Sequence, residues 1–417
     1  MNMQYRVATT DRRMRHMPAT RPGRWWSFLL VASCLSAVYA GGNIQNPLYG
    51  LYQRAFGFPT AIVTAVFAAY VVGALAALAF GGRLSDQLGR RPVLLAGLAL
   101  SAIGSMLFAV ADGLPLMFLG RVAQGLAIGL VSGTASAALV ELHPTGDRRV
   151  AAAVGTACTS GGACVGSMMA ALCAQYAPAP LRLVFVLHVA ALVVLAVIAR
   201  AVSEPVQTMV TTWRELNLRP QPLAVPHRQL QAFLGTVASG FCALAVVGLF
   251  SALTPSLLHD VLRMNGVLVN GFVILTIFGI AAIAQVASSR LGNLASTLGG
   301  LLAIIGGLAL LVIVLHTGSL PVLATCIVAL GCGEGMALRG SVALLNDATE
   351  PQRRGAVNSS YFVIAYCGMA LPVLGVGLYT HGAGLVAATD AFAGAIGMIS
   401  LLAVGLLVWA GRRVSPG

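Results

Sequence analysis

Long apolar runs of about 20 residues dominate the sequence, and short polar stretches separate them. A membrane-spanning helix needs about 20 mostly apolar residues, because the hydrocarbon core of a bilayer is about 30 Å thick. The runs are apolar at nearly every position, which favours helices over barrel strands, where apolar and polar residues alternate. We therefore predict an all-α membrane protein. Its twelve predicted spans are residues 26–48, 58–80, 93–112, 114–140, 151–176, 182–202, 230–255, 267–287, 296–315, 320–345, 357–380 and 387–410.

Composition supports a chain that lies in a lipid bilayer. Hydrophobic residues make up 58% of the sequence and charged residues only 9%, whereas a soluble domain carries about 25% charged residues. The eight cysteines all fall in apolar runs, and none shows the paired spacing of a metal site or a disulfide framework. We therefore expect no metal and no cofactor.

The arginines are distributed unevenly between the predicted loops. All 25 basic residues are arginine and the net charge is +13. If the N-terminus is cytoplasmic, 20 arginines lie on the cytoplasmic side, counting Arg200 at the inner end of span six. Three lie on the outer side, counting Arg182 at the outer end of the same span. This bias predicts that both termini are cytoplasmic in a bacterial inner membrane, and it explains the charge without a nucleic-acid partner. Without lysine, the G-x-x-x-x-G-K-[ST] phosphate loop of ATP-hydrolysing proteins cannot form.

One long polar stretch divides the predicted spans six and six. Residues 203–229 contain several prolines and arginines, which predicts a linker between two six-helix bundles, 26–202 and 230–410. Residues 1–25 and 411–417 are predicted cytoplasmic tails. Similar segments recur about 205–210 residues apart, as in 97–100 and 307–310. Such repeats build transporters whose site lies at the midplane between two halves, related here by a pseudo-two-fold axis.

The loop after the second span reads GRLSDQLGRRP, residues 82–92. It resembles the G-x-L-[SA]-D-x-x-G-R-[RK] signature of the major facilitator superfamily, and the six-plus-six arrangement extends the resemblance over the whole chain. The resemblance implies a gating network whose members are Gly82, Asp86, Gly89, Arg90, Arg91 and Glu141. In that network Arg90 pairs with Asp86 and Glu141, and Asp86 faces span eleven. A solvated turn with topogenic arginines is the alternative.

A second pattern, R-x-x-Q-G at residues 121–125 in span four, resembles that of proton-coupled members of the superfamily. An arginine within a span usually faces a cavity or a partner, and Gln124 follows Arg121 by three residues on a similar helix face. We therefore place both in a substrate or proton cavity. The alternative is an arginine that extends to the membrane interface.

Glu334 lies midway along span ten, which the repeat pairs with span four. The superfamily resemblance implies that spans one, four, seven and ten line the cavity. A carboxylate there can hold a proton in one state and release it in another, or it can be a protonated structural residue. Tyr39, Asn43 and Asn46 share one face of span one and are expected to meet the ligand, unless they only join helices.

These features together predict a monomeric secondary transporter that exports a small organic molecule in exchange for protons. The resemblance to drug–proton antiporters is incomplete, because span five lacks their glycine-proline pair and span one has no carboxylate. Two alternatives stay open: proton-coupled uptake of a polar metabolite, and a sensor that keeps a transporter fold. The scattered histidines form no nucleophile–base or metal-ligand pattern, so we do not expect an enzyme.

Overall fold

The computed structural model describes residues 22–202, 204, 206, 230–264, 266–350 and 353–414. Within these ranges the chain forms α-helices and short 3-10 turns, and no strand. The α-helices are α1 (Pro22–Asn43), α2 (Tyr49–Phe56), α3 (Thr60–Leu88), α4 (Arg90–Ala109), α5 (Leu114–Leu142), α6 (Arg148–Tyr176), α7 (Leu183–Ala199), α8 (Leu230–Asp260), α9 (Val267–Ala287), α10 (Asn293–Thr317), α11 (Leu320–Asp347) and α12 (Arg354–Val414).

Length and composition qualify ten segments of the described chain as membrane-crossing helices. One of them combines α1 and α2, and α7 is shorter than the rest. Helix α12 has 61 residues, about three times the length that a bilayer core requires. Its backbone leaves the helical region at Gly384, where φ is 80° and ψ is 167°. This break lies between the last two predicted spans, 357–380 and 387–410.

Local signals account for several helix ends. Proline lies in the first turn of α5 and of α11, where its missing amide hydrogen costs nothing and its fixed φ suits a helix. Gly57 and Gly318 end α2 and α10 in the left-handed conformation, which glycine adopts without a steric penalty. The Asp147 side chain begins α6 by accepting from the amides of Arg149 and Val150.

Backbone-to-backbone packing at glycine holds several helix pairs together. A Cβ atom on Gly125 would collide with the Tyr70 carbonyl of α3, and one on Gly335 would collide with the Ala281 carbonyl of α9. Small residues at such crossings let helices approach closely, as is common in membranes. Helix α6 meets α1 in the same manner through Gly162 and Ser36.

The most extensive contacts between the first and second parts of the chain are those of α6 with α9 and of α3 with α12. The contact of α6 with α9 comes close to the turn Asn46–Leu48. There Gly271 meets Ala171, and Asn270 Nδ2 donates to Pro47 O at 3.4 Å. We call this end of the helices the Pro47 end, and the opposite end, where α3 joins α4, the Arg90 end.

Three predicted features differ from the structure or lie outside it. The predicted loop from 81 to 92 contracts to the single residue Gly89 between α3 and α4. The first span, predicted as 26–48, ends as an α-helix at Asn43 and continues through a 3-10 turn into α2. Most of the predicted linker and tails lies outside the described residues, so their boundaries stay predictions.

Candidate functional site

A cavity of about 200 Å³ lies among eight helices, between α1, α3, α5 and α6 on one wall and α8, α9, α11 and α12 on the other. Four of the six predicted cavity residues line it, namely Tyr39, Asn43, Arg121 and Glu334. The other two, Asn46 and Gln124, are not among its lining residues. The described residues contain no group of three histidine, cysteine, aspartate or glutamate side chains arranged to hold a metal ion.

Arg121 is fully buried in the wall of this cavity. Its Nη1 donates to Gly42 O at 2.9 Å, and its guanidinium carbon lies 4.8 Å from the ring centre of Tyr70 and 5.2 Å from that of Phe67. Gly42 is one residue before the end of α1, where the carbonyls lack helical partners and carry partial negative charge. The cation is therefore held by a helix end and two aromatic faces.

Gln124 and Asn46 lie outside the lining of this cavity. Gln124 packs against α4, because a Cβ atom on Gly104 would lie 2.7 Å from Gln124 Cγ. A separation of three residues turns a helix by about 300°, so Gln124 is about 60° away from Arg121 around α5. Asn46 is buried and donates to Asn43 Oδ1 at 3.0 Å. It lies beyond the end of α1, so the helical spacing no longer applies.

Glu334 is 6% exposed and lies on the α11 wall of the cavity. Among the described residues, no hydrogen bond or ion pair is recorded for its carboxylate, although Tyr361 is close enough to interact with it electrostatically. Arg339 on the same helix turns away, and its Nη1 donates to Ser288 O at 2.9 Å at the end of α9. Glu334 is therefore a buried acid that faces a cavity.

Sequence reasoning missed most of the apolar lining of the cavity. Aromatic residues come from α3, α9 and α12, and they are Phe67, Tyr70, Phe278, Phe362 and Tyr366. An aromatic residue in an apolar run gives no indication of whether it faces lipid, another helix or a cavity. Only the packing of α12 against α8 and α3 identifies the last two as lining residues.

Arg90 organises a network at the Arg90 end. Its Nη2 and Nε donate to the two carboxylate oxygens of Glu141 at 2.9 and 3.1 Å, and its Nη1 donates to Asp86 Oδ1 at 2.5 Å and Ser85 Oγ at 2.7 Å. Two carboxylates therefore surround one guanidinium, and bonds of this charge-assisted kind are the stronger ones. The guanidinium thus joins α3, α4 and α5.

Two other members of the predicted gating motif complete the loop. Gly89 has φ 97°, a backbone conformation that side chains disfavour. Arg91 Nη1 donates to Arg200 O at 3.1 Å, beyond the end of α7. Gly82 lies inside α3, in a stretch whose side-chain surroundings are not described.

Glu204 is a participant that the sequence did not indicate. Its two carboxylate oxygens accept from the amides of Arg90 and Arg91, both at 2.8 Å. These are the first amides of α4, which lack helical partners, and the positive end of the helix dipole favours a carboxylate there. The two partners are far apart in the sequence, so no local pattern predicts the contact.

Comparison with known proteins places this arrangement in a family. The model of the Major Facilitator Superfamily matches residues 31–373. The chain therefore belongs to the Major Facilitator Superfamily, as the loop motif indicated, and the prediction of that family is confirmed.

Curated relatives match only in part. The puromycin resistance protein pur8 of Streptomyces alboniger is 29% identical over 156 residues, which cover 37% of this chain and 31% of that protein. The multidrug resistance protein MdtL of Klebsiella pneumoniae is 35% identical over 104 residues, covering 24% and 26%. The quinolone resistance protein NorA of Staphylococcus aureus is 24% identical over 108 residues, covering 26% and 28%. The matched stretches thus span less than a third of these relatives.

Solved structures match over nearly the whole chain. A bacterial homologue of the human lysosomal transporter Spinster, in an inward-facing and unoccupied conformation, has a TM-score of 0.72 at 13% identity and covers 94% of this chain and 98% of its own. The human organic anion transporter MFSD10 (TETRAN) has a TM-score of 0.64 at 19% identity, covering 93% and 100%. These likenesses show the fold alone.

Proposed function

We propose that this protein is a secondary active transporter that exports a small organic molecule by alternating access, coupled to protons through Glu334. The observation that carries the proposal is a buried carboxylate on the wall of the central cavity, halfway along α11, with no recorded hydrogen-bond or ion-pair partner among the described residues. An ionisable group inside a membrane is costly, and where it faces a cavity it commonly carries ions or protons.

The architecture for alternating access is two six-helix bundles with twelve spans. The recurrence of helix contacts supports it. Gly129 of α5 meets the Ala74 carbonyl of α3, and its equivalent in the repeat, Gly335 of α11, meets the Ala281 carbonyl of α9. The break at Gly384 divides α12 into the two spans that complete the second bundle. Such repeats rock against each other around a site near the midplane.

The proposed orientation has the Arg90 end in the cytoplasm, as the arginine distribution requires. The close approach of α6 and α9 at the Pro47 end supports a state closed on the outer side. In this state Asp86 is bonded to Arg90 within its own half. In the outward-open state we expect Asp86 to contact α12 and hold the cytoplasmic side closed. Gly82, Gly89, Arg91 and Glu141 would shape and orient that latch.

The proposed direction rests on the resistance proteins that match part of the chain. Their names describe resistance to puromycin, to quinolones and to multiple drugs, and extrusion of the compound accounts for such resistance. A cavity acid serves uptake equally well, so direction has to be measured.

The test is extrusion from loaded, efflux-deficient cells that produce the protein. Dyes, antibiotics and organic acids are followed with and without a protonophore. We expect extrusion that stops with the protonophore and with Glu334→Gln, because glutamine keeps the shape of the side chain but cannot exchange a proton. The matched control is Glu350→Gln, which removes a 77% exposed carboxylate outside the cavity and should leave extrusion unchanged.

Three results would contradict parts of the proposal. Extrusion by Glu334→Gln at the wild-type rate, with equal protein in the membrane, would exclude Glu334 as the coupling site. Proton-driven accumulation inside the cell would replace export with uptake. Movement of no compound in either direction would favour a sensor.

A further inference from the structure

Arg121 has a free bidentate donor edge that the proposed proton coupling does not use. Its Nη1 is occupied by Gly42 O, whereas Nε and Nη2 are buried and have no hydrogen-bond partner. The Nε–H bond and one Nη2–H bond are parallel along one side of the guanidinium. That edge matches the two oxygens of a carboxylate, which is the usual bidentate partner of arginine.

The charge of Arg121 also lacks a counter-ion. The ion pairs recorded among the described residues do not include it. The rings of Tyr70 and Phe67 and the end of α1 offset part of its charge. A buried cation without an anion is nevertheless costly, because both its hydration and its Coulomb partner are missing. A ligand that supplies the anion would remove this cost.

Glu334 is poorly placed to be that anion. Arg121 is seven residues from the first residue of α5, and Glu334 is 14 from the first residue of α11. Both helices begin at the Pro47 end, and a helix rises 1.5 Å per residue, so the Cα atoms of the two residues differ in depth by about 10 Å. They also lie on opposite walls of the cavity.

We propose that Arg121 binds the carboxylate of an organic acid whose apolar body lies against the aromatic lining of the cavity. This inference names the substrate class of the transporter and therefore rests on the proposed function. The carboxylate would accept from Nε and Nη2, and the body would contact rings such as Phe278, Phe362 and Tyr366. Glu334, deeper along the cavity, remains free to exchange its proton while the acid is bound.

The test is equilibrium binding of matched acids and amides to the full-length protein in nanodiscs at pH 7. The pairs are benzoate with benzamide, 2-naphthoate with 2-naphthamide and octanoate with octanamide. Each pair shares its body and differs in charge. We expect at least one acid to bind about 10- to 100-fold more tightly than its amide, which corresponds to one pair of charge-assisted hydrogen bonds.

Variants assign this preference to the free edge. Arg121→Gln should reduce the preference for the acid over its amide to about twofold or less. Arg121→Lys should give an intermediate value, because lysine keeps the charge but lacks the two parallel N–H donors of the guanidinium. The matched control is Arg339→Gln, which removes an arginine from a span without touching the cavity lining and should keep the full preference. If Arg121→Gln does not fold, the comparison of Arg121→Lys with the wild type decides.

The outcomes separate this inference from the proposed function. A wild type that prefers none of the acids, or an Arg121→Gln variant that keeps the preference, would overturn the inference. Arg121-dependent binding without proton-driven transport would retain the acid site and reject the coupling. Proton-driven transport of uncharged compounds, with no preference for acids, would retain the proton coupling and reject the acid site.

Discussion

The helix pairs α3–α5 and α9–α11 share a packing arrangement but differ in their charges. Gly125 and Gly129 of α5 press against α3, and their equivalents in the repeat, Gly331 and Gly335 of α11, press against α9. The charged residues do not recur in this way. At the same spacing Arg121 corresponds to Ile327, and Glu334 corresponds to Ile128.

This difference shows that the glycine contacts that hold the helices together recur in both pairs, whereas the charged residues proposed to act in transport do not. Close backbone contact depends on small residues and on shape, so it recurs wherever two helices cross in the same way. A charge inside a membrane is costly at every position, and neither of these two charges has a charged counterpart in the other half. In our proposal the first half supplies the cation that meets the ligand and the second half supplies the acid that carries the proton.

The largest expected effect comes from breaking the shared contact. Gly129→Val and Gly335→Val should each destabilise the protein by about 3 kcal/mol or more, because the new side chain meets a backbone carbonyl that cannot move alone. Thermal unfolding of the purified protein, together with the yield of monodisperse protein, measures this.

The control uses a glycine of α9 with no close neighbour. A Cβ atom on Gly335 would collide with the Ala281 carbonyl, whereas one on Gly279 has open space around it. Gly279→Val should change stability by about 0.5 kcal/mol or less. Equal damage at Gly279 and Gly335 would show that valine is harmful in any of these helices and that the contact is not the cause.

A smaller effect is expected where the two halves differ at the Arg90 end. Arg90→Ala should cost about 2 kcal/mol, because it removes charge-assisted bonds and leaves Glu141 and Asp86 facing each other. At the α9–α10 junction the related contact is one exposed bond, from Asn293 Nδ2 to Asp347 Oδ2 at 2.7 Å. Asn293→Ala should cost about 0.5 kcal/mol or less.

Midpoints of thermal unfolding compare these two variants directly. If Arg90→Ala unfolds at the wild-type temperature, the network does not stabilise the first half, and its only remaining role would be in gating. Arg90→Lys serves as a control, since it keeps the charge and loses the bidentate contact with Glu141.

The sequence predicts the helices more completely than the surroundings of the cavity. Continuous apolar runs require helices in a membrane because every backbone group has to be satisfied internally. Arg121 and Glu334 were predictable because a charge within an apolar run is conspicuous. Gln124 lies outside the cavity lining because a modest rotation around α5 separates it from Arg121. Glu204 was missed because its partners are distant in sequence.

The smallest expected effect concerns the starts of α6 and α12. Asp147 precedes α6, whereas Arg353 occupies the corresponding place before α12. Hydrogen bonds from the amides of Val150 and Arg149 lower the pKa of Asp147 below its ordinary 3.8. The charged form therefore contributes stability above pH 3.8, and that contribution is lost as the pH falls through the lowered pKa of the folded state.

Asp147→Asn tests this contribution, because asparagine keeps the capping oxygen and removes the charge. The variant should unfold at a slightly lower temperature than the wild type at pH 7, and the two should converge as the pH falls below 3.8. A difference that persists unchanged in acid would show that the charge of Asp147 is not responsible for it.

The junction at Gly89 joins the long helices α3 and α4 without a flexible loop between them. Only one residue separates Leu88 from Arg90, and Glu204 ties the chain that leaves α7 to the same point. A tilt of α3 is therefore passed on to α4 and to the start of the segment that leads to α8. A longer, more flexible loop in this place would absorb the movement. The junction therefore couples the movements of α3 and α4 rigidly. Inserting a few residues at Gly89 would uncouple the two helices.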